Sequence, residues 1–190
     1  MNTVRILAAI LASLLVSACA LSPQTITVAP LLAVAPENIG QGQTVNVVVQ
    51  DNRKDGTIGS RGGVYNQSST IRSSNDVADA IRAQVESGLA AQGYVLTGTE
   101  AGNLLRVGID QLSYVVPEGA VATSADITVV LRVSAQRDGK QFETTYRSAV
   151  NHRFPVSPTA TQNEKWINEA LTETLARFFA DTKMRTFMTR

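Results

Sequence analysis

The feature that most restricts the fold is a pattern of alternating apolar and polar residues that runs from Ile127 to Phe154 around Asp138-Gly139. An Asp-Gly pair between two such runs is typical of a two-residue type I′ turn in a β-hairpin. Folding the chain there pairs Arg137 with Lys140 and gives the hairpin one apolar face: Ile127, Val129, Leu131, Val133, Ala135, Phe142, Tyr146, Val150 and Phe154. A sheet with one apolar face needs helices to cover that face.

One segment before the hairpin has the spacing of an amphipathic helix. Apolar side chains recur every four residues at Val77, Ile81, Val85 and Leu89, which is typical of a buried helix face. Ser73 and Asp76 stand three residues apart, the spacing of a capping box at a helix start. Gly93 ends the pattern where a left-handed residue is favoured, and Tyr94 follows it, so we expect the helix to end there.

A second amphipathic helix is predicted after the hairpin. Thr161 and Glu164 repeat the capping-box spacing, and the apolar stripe that follows consists of Ile167, Ala170, Leu171, Leu175, Phe178 and Phe179. Asp181-Thr182 indicates a break and a new helix start. A short terminal helix should follow, with Met184, Phe187 and Met188 on its apolar side.

Further strands are predicted before the hairpin. Val45, Val47 and Val49 alternate with other residues, and Leu104–Val116 alternates with a change of parity near Asp110-Gln111. A β-bulge at that point would bring both parities to one face. A polar, glycine-rich stretch runs from Asp51 to Ser74, and its segment Gly56–Gly63 is interpreted as a loop. The predicted fold over residues 44–190 is an α+β two-layer sandwich: an antiparallel sheet with two main helices packed on one face.

The N-terminus has the order of a secretory signal. Arg5 precedes an apolar run from Ile6 to Val16, and small residues follow. The run is about half of the ~20 residues that span a bilayer, so we expect a cleaved signal peptide over residues 1–18. Val16-Ser17-Ala18-Cys19 resembles the bacterial lipobox, in which the cysteine sulfur receives a diacylglycerol. The alternative is an ordinary secretory signal that happens to contain a cysteine.

The cysteine count favours the lipoprotein. Cys19 is the only cysteine in 190 residues, so the chain cannot form an internal disulfide, and a lone thiol is a liability in an oxidising compartment. Lipidation removes that thiol, and acyl chains such as palmitate provide a stable membrane anchor. Residues 19–43 contain Pro23, Pro30 and Pro36 and are interpreted as a tether, with a possible short extended segment at the domain edge.

The residue after the lipidated cysteine indicates to which membrane a bacterial lipoprotein is sorted. Ala20 is not the aspartate that retains lipoproteins at the inner membrane of enteric bacteria. Similarity to that sorting rule implies the outer membrane with the domain facing the periplasm; the alternative is the periplasmic face of the inner membrane.

The mature chain has no formal net charge, because removing the first 18 of the 190 residues removes one of 17 Lys+Arg and leaves 16 against 16 Asp+Glu. A formal charge of zero argues against nucleic-acid binding.

Several short segments resemble the YajG family of bacterial lipoproteins. They are Pro23–Pro30, Asp51-Asn52-Arg53, Gly93-Tyr94, Ala125-Asp126-Ile127, Tyr146-Arg147 and the helical ending Leu171–Met188 with its Asp181-Thr182 step. The resemblance covers essentially the whole mature chain. It implies a lipid anchor and a single domain, and it supplies no catalytic residue because the family has no assigned activity.

Residues that could carry chemistry are few. His152 is the sole histidine, so a Ser-His-Asp triad would need it, and the sequence has no Gly-x-Ser-x-Gly turn to supply a nucleophile. One histidine and one lipidated cysteine cannot make a usual zinc site, and we expect no metal and no cofactor. A structural role is the simpler interpretation of His152.

Three other features could each serve in binding, but each also has a simpler structural interpretation. The glycine-rich stretch Gly56–Gly63 could wrap an anion with its N–H groups, but it lacks the spacing of a nucleotide-binding loop, and a surface loop is simpler. Asp51 and Arg53 could form a binding pair, whereas an ordinary ion pair at a strand end is simpler. Trp166 is expected to pack in the core or at its rim.

Three functional hypotheses follow. The first is a lipid-anchored adaptor that holds a protein partner near the membrane, through an open sheet edge or the glycine-rich loop. The second is a binding module for a small envelope ligand, such as a cell-wall fragment or a lipid. The third, an enzyme, is the least favoured. The first leads because the sequence combines an anchor and a compact domain with no convergent set of polar residues, so we predict a non-catalytic envelope protein.

Overall fold

The computed structural model describes residues 22–62, 67–99, 103–117 and 123–189. Its eight strands form one sheet: β1 (Gln24–Ile26), β2 (Thr44–Asp51), β3 (Thr57–Ser60), β4 (Thr70–Ser73), β5 (Val95–Leu96), β6 (Asn103–Val115), β7 (Ser124–Arg137) and β8 (Lys140–Arg153). The helices are α1 (Val77–Ala91), α2 (Ala160–Ala180) and α3 (Thr182–Thr189). The predicted signal peptide and Cys19 lie outside the described residues.

The predicted hairpin is confirmed in its turn and its register. β7 and β8 pair antiparallel from Arg137↔Lys140 to Ser124↔Arg153 without a shift. Asp138 and Gly139 both have positive φ, 50° and 73°, as a type I′ turn requires. Residues across a strand pair share a face, and on this face the apolar residues of β7 and Tyr146 of β8 are buried, whereas Phe142 and Val150 are half-buried.

The expectation of a purely antiparallel sheet is wrong. β6 pairs antiparallel with β7, and a register shift between Ile109 and Gln111 makes Asp110 the predicted bulge. On its other side, however, β6 pairs in parallel with β2. The pairs β1–β4, β2–β5 and β3–β6 are also parallel. The physical reason is that α1 carries the chain back across the apolar face between β2 and β6, so β6 enters the sheet in the direction of β2.

The helices cover the apolar face of the sheet, as predicted. α1 buries Val77, Ile81, Val85 and Leu89. The stripe of α2 is buried too: Ile167, Ala170, Leu171, Leu175, Phe178 and Phe179. α3 adds Met184 and Met188. The fold is therefore a two-layer α/β arrangement with a mixed sheet and three helices on one side.

Both predicted capping boxes are displaced. The N-cap of α1 is Asp76, whose side chain accepts a hydrogen bond from the N–H of Asp79, while Ser73 is the last residue of β4. The N-cap of α2 is Thr159, which accepts from the N–H of Gln162. Each helix begins where a side chain can reach an unpaired N–H of its first turn, and several residues near each start could have done so.

The glycine-rich stretch from Asp51 to Ser74 contains two strands, and the first of them, β3, lies within the segment Gly56–Gly63 that was expected to be a loop. β3 and β4 form an antiparallel ladder within residues 57–73, and β3 contacts β6 at Gly59↔Tyr114. A side chain at Gly59 would place its Cβ 1.8 Å from the carbonyl oxygen of Tyr114. Glycine is needed there because the backbones of β3 and β6 approach too closely for any Cβ.

The chain after residue 22 is packed against the domain and is not a tether, but the short extended segment expected at the domain edge is present as β1. β1 joins the sheet beside β4, and Val28 and Pro30 are buried. Residues 27–32 then lie between α1 and α2, where side chains accept hydrogen bonds from their backbone N–H groups: Glu164 from Thr27, Asn75 from Val28, Asn168 from Ala29, Thr172 from Leu31 and Gln84 from Leu32. This segment has no neighbouring strand to accept from its N–H groups, so side chains of α1, of α2 and of Asn75 before α1 do so.

Candidate functional site

His152 lies on the covered side of the sheet and is half-buried. Its ring stacks on Trp166 with ring centroids 4.3 Å apart and an interplanar angle of 5°. Phe154 packs against the same indole at 6.2 Å. Burial lowers the pKa of His152, and the charge of Glu169 only partly offsets this. Trp166 thus packs at the rim of the core, and His152 is held in an aromatic stack at the end of β8.

Asp51 and Arg53 form a two-pronged ion pair at the end of β2. The guanidinium donates from Nε to Oδ1 at 2.9 Å and from Nη2 to Oδ2 at 2.6 Å. Burial alone would raise the pKa of Asp51, but the hydrogen bonds and charge of Arg53 outweigh it and hold this pKa below its usual value. The side chain of Arg53 is only 8% exposed. The pair therefore fixes the turn after β2, and its guanidinium is not presented to solvent.

A polar network on the uncovered face of the sheet surrounds the bulge. Asn52 donates to Oδ1 of Asp110 at 2.9 Å, and Arg132 donates to Oδ2 of Asp110 at 2.9 Å. The network joins the end of β2 to β6 and β7. The sequence predicted the bulge but not these partners, because Asn52 and Arg132 lie 58 and 22 residues from Asp110.

Arg61 is the charged residue within Gly56–Gly63, and its side chain hydrogen-bonds to other parts of the same domain. Its guanidinium donates to the carbonyl oxygen of Ser22 at 3.0 Å, to Oγ of Ser157 at 3.3 Å and to the carbonyl oxygen of Pro158 at 3.4 Å. Gln24 also donates to the carbonyl oxygen of Pro158, at 3.2 Å. Arg61 therefore ties the N-terminal segment to the connection between β8 and α2.

A groove of about 520 Å³ opens at the hairpin end of the domain. Its floor contains Phe142 of β8 and Phe187 of α3, with ring centroids 5.7 Å apart. Three basic residues and one acidic residue also line it: Arg137, Lys140, Lys183 and Asp138. The groove combines an aromatic floor with a rim of net positive charge, which suits an apolar group that carries a negative charge.

The outer edge of β8 is open along 14 residues. Among the described residues, β8 pairs only with β7. Lys140 closes a two-residue hairpin and exchanges hydrogen bonds with Arg137. Every second residue from Gln141 to Arg153 therefore directs its N–H and C=O groups away from β7. An edge of this length is a template for pairing with another strand.

Neither a metal cluster nor a membrane span is found in the described ranges. No group of three or more His, Cys, Asp or Glu side chains there is placed to hold a metal ion. No helix in that part of the chain is long and apolar enough to cross a membrane.

The fold and the sequence together define the class of protein. Residues 30–189 match the sequence pattern of a protein family that is described as uncharacterized lipoproteins. The chain belongs to this family, the YajG family of bacterial lipoproteins, and the resemblance found in the sequence is confirmed. Membership implies a membrane-anchored envelope protein.

Particular relatives support the same conclusion. The chain is 26% identical over 189 residues to the uncharacterized lipoprotein YajG of Escherichia coli strain K12, covering 97% of this chain and 96% of the relative. YajG of Escherichia coli O6:H1 matches to the same extent. The crystal structure of protein XCC0632 from Xanthomonas campestris superposes with a TM-score of 0.53 at 13% identity, covering 89% of this chain and 97% of that one. The last similarity is one of fold.

Proposed function

We propose that this chain is lipidated on Cys19 and is anchored in the outer membrane with its domain facing the periplasm. The apolar run that ends at Val16-Ser17-Ala18-Cys19, the single cysteine and the lipoprotein family support the anchor. Ala20 supports transfer to the outer membrane, and the periplasmic face of the inner membrane is the alternative.

The anchor has a direct test. Cys19→Ser should leave uncleaved precursor and abolish labelling by a palmitate analogue in cells, whereas the wild-type chain should label. Fractionation of the two membranes then distinguishes outer from inner. Normal processing of the variant together with an unlabelled wild-type protein would refute the proposal.

Within the envelope, we propose that the domain is a non-catalytic adaptor that binds a protein partner. The observation that carries this proposal is the open edge of β8. An extended segment of a partner can add to such an edge through main-chain hydrogen bonds, and its side chains would then reach the neighbouring pockets. The groove at Phe142 and Phe187 lies beside the first residues of this edge.

A proline substitution tests the edge without entering the ladder. The N–H of Thr145 is directed away from β7, so Thr145→Pro removes an outward donor and should leave the β7–β8 pairing intact. Thr145→Ser, which keeps the N–H, is the matched control. A photo-crosslinking residue at Gln141 in intact cells, followed by mass spectrometry, should capture a protein in the control background and lose it in the proline variant.

A second candidate is a small envelope ligand in the groove, favoured by its aromatic floor and basic rim. If crosslinks from Gln141 yield no protein and a crosslinker at Thr186 captures a lipid or a cell-wall fragment, this candidate replaces the adaptor. A protein captured equally by the Thr145→Pro and Thr145→Ser variants would contradict strand addition.

A further inference from the structure

The register of the sheet shows at which of its two ends Ser22, the residue two positions before β1, lies. Successive strand pairings place six residues in one row: Gln24, Ile71, Gly59, Tyr114, Ile127 and Val150. Following the strand directions along this row, β1 runs parallel to β7. Ser22, two residues before Gln24, therefore lies at the end of the sheet where β7 begins and β8 ends.

Direct contacts hold Ser22 at this end. The guanidinium of Arg61 binds the carbonyl oxygen of Ser22 and, at the same time, the connection between β8 and α2 at Ser157 and Pro158. The adjoining surface includes Arg153, which is exposed, and Val156, which is 76% exposed. The position of the chain after residue 22 is thus set by the domain.

The chain between this point and the predicted anchor is very short. Three residue steps separate Cys19 from Ser22, so the two Cα atoms lie at most about 11 Å apart, whatever conformation the chain adopts. β8 has 13 steps from Lys140 to Arg153 and is about 43 Å long at ~3.3 Å per residue. The greatest possible distance between Ser22 and the lipidated Cys19 is therefore only about a quarter of the length of β8.

We propose that the end of the domain formed by Arg61, Arg153 and residues 154–158 lies against the lipid headgroups of the membrane in which the protein is anchored. This inference rests on the lipid anchor proposed above. A lipid surface is the occupant because the lipidated cysteine cannot move farther from this end than its three residue steps permit. Arg153, which is exposed at this end, supplies a positive charge that is complementary to the phosphate groups of that surface. The hairpin turn and the groove at Phe142 and Phe187 lie at the opposite end, on the side away from the membrane.

Two single-cysteine variants of the lipidated protein test this orientation. The sulfur of Cys19 is modified in the mature protein, so Val156→Cys and Lys140→Cys each provide one reactive thiol. Each variant is purified from membranes, labelled with an environment-sensitive fluorophore and reconstituted into phosphatidylcholine vesicles. A spin-labelled headgroup lipid, which quenches only at short range, then reports the distance of each label from the bilayer surface.

Quenching should be several-fold stronger at position 156 than at position 140. Inserting ten Gly/Ser residues after Leu21 should remove the difference, because the longer chain no longer holds the end at the membrane. Equal quenching at both positions, or stronger quenching at 140, would overturn the orientation. Palmitate labelling and vesicle flotation of the same preparations separate this result from failure of the anchor: a labelled, floating protein with equal quenching refutes the orientation alone.

Discussion

Asp181 joins three parts of the domain, and removing its side chain should destabilise the fold measurably. It separates α2 from α3, and its Oδ1 accepts hydrogen bonds from the N–H groups of Lys183 and Met184 at 2.8 and 3.2 Å. Its Oδ2 accepts from the hydroxyl of Tyr146 in β8 at 2.8 Å. Tyr146 is buried and packs against Phe178. One carboxylate thus caps α3 and fixes the helix junction to the sheet.

The size of the effect follows from these contacts. Loss of an N-cap costs about 1 kcal/mol, and leaving the buried hydroxyl of Tyr146 without its acceptor costs about 1–3 kcal/mol. Asp181→Ala should therefore lower the free energy of unfolding by about 2–4 kcal/mol. In a domain of this size, that corresponds to a fall in Tm of roughly 4–16 °C. Asp181→Asn keeps a good N-cap and a neutral acceptor, so it should cost only about 1 kcal/mol.

The same carboxylate predicts a dependence on pH. Burial alone would raise the pKa of Asp181, but the hydrogen bonds from Tyr146, Met184 and Lys183 outweigh it and lower this pKa. A folded-state pKa below the unfolded value gives stability that is fully present above the unfolded pKa, about 4. That stability is lost as pH falls through the folded pKa. The difference between wild type and Asp181→Asn should therefore narrow below pH ~4.

Urea unfolding of the purified, unlipidated chain provides the assay, with melts at neutral and acid pH. Tyr146→Phe and the double variant with Asp181→Ala complete a double-mutant cycle. The double variant should lose less unfolding free energy than the sum of the losses in the two single variants. If the unfolding free energy of Asp181→Ala is within about 0.5 kcal/mol of the wild-type value, or if the two single losses are strictly additive, Asp181 does not couple α3 to Tyr146.

Three further predictions concern single positions. Gly139→Val should destabilise the domain by on the order of 1 kcal/mol or more, because residue 139 has a φ of 73° in the type I′ turn; an unchanged Tm would contradict the turn. Gly59→Ala should cost about 1–3 kcal/mol through the clash with the carbonyl of Tyr114, measured by urea unfolding beside the exposed control Gly56→Ala. His152→Gln should complement a deletion strain as well as wild type at matched abundance; a folded variant that behaves like the deletion would indicate chemistry at His152.

The sequence alone determined the elements whose side-chain pattern is local. The alternation around Asp138-Gly139 predicted the hairpin, its register and its buried face, since the turn sets the pairing and the two-residue period sets the face. The spacing of Val77 to Leu89 predicted α1 for the same kind of reason. The lone Cys19 behind an apolar run predicted the lipoprotein class, because that signal is read from the linear chain.

Tertiary structure decided which distant segments became neighbours. Periodicity tells which face of a strand is buried but not which strand lies beside it, so the sequence does not predict the parallel pairing of β2 with β6. The packing of the segment after Ser22 is not predictable from its own residues, because its N–H partners lie in α1, α2 and the turn before α1, up to 141 residues away. Arg61 acquired its role in the same way, since Ser22 and Pro158 meet it only when the sheet and α2 are assembled. Contacts of this kind depend on the closure of long loops around a common core, which no local pattern records.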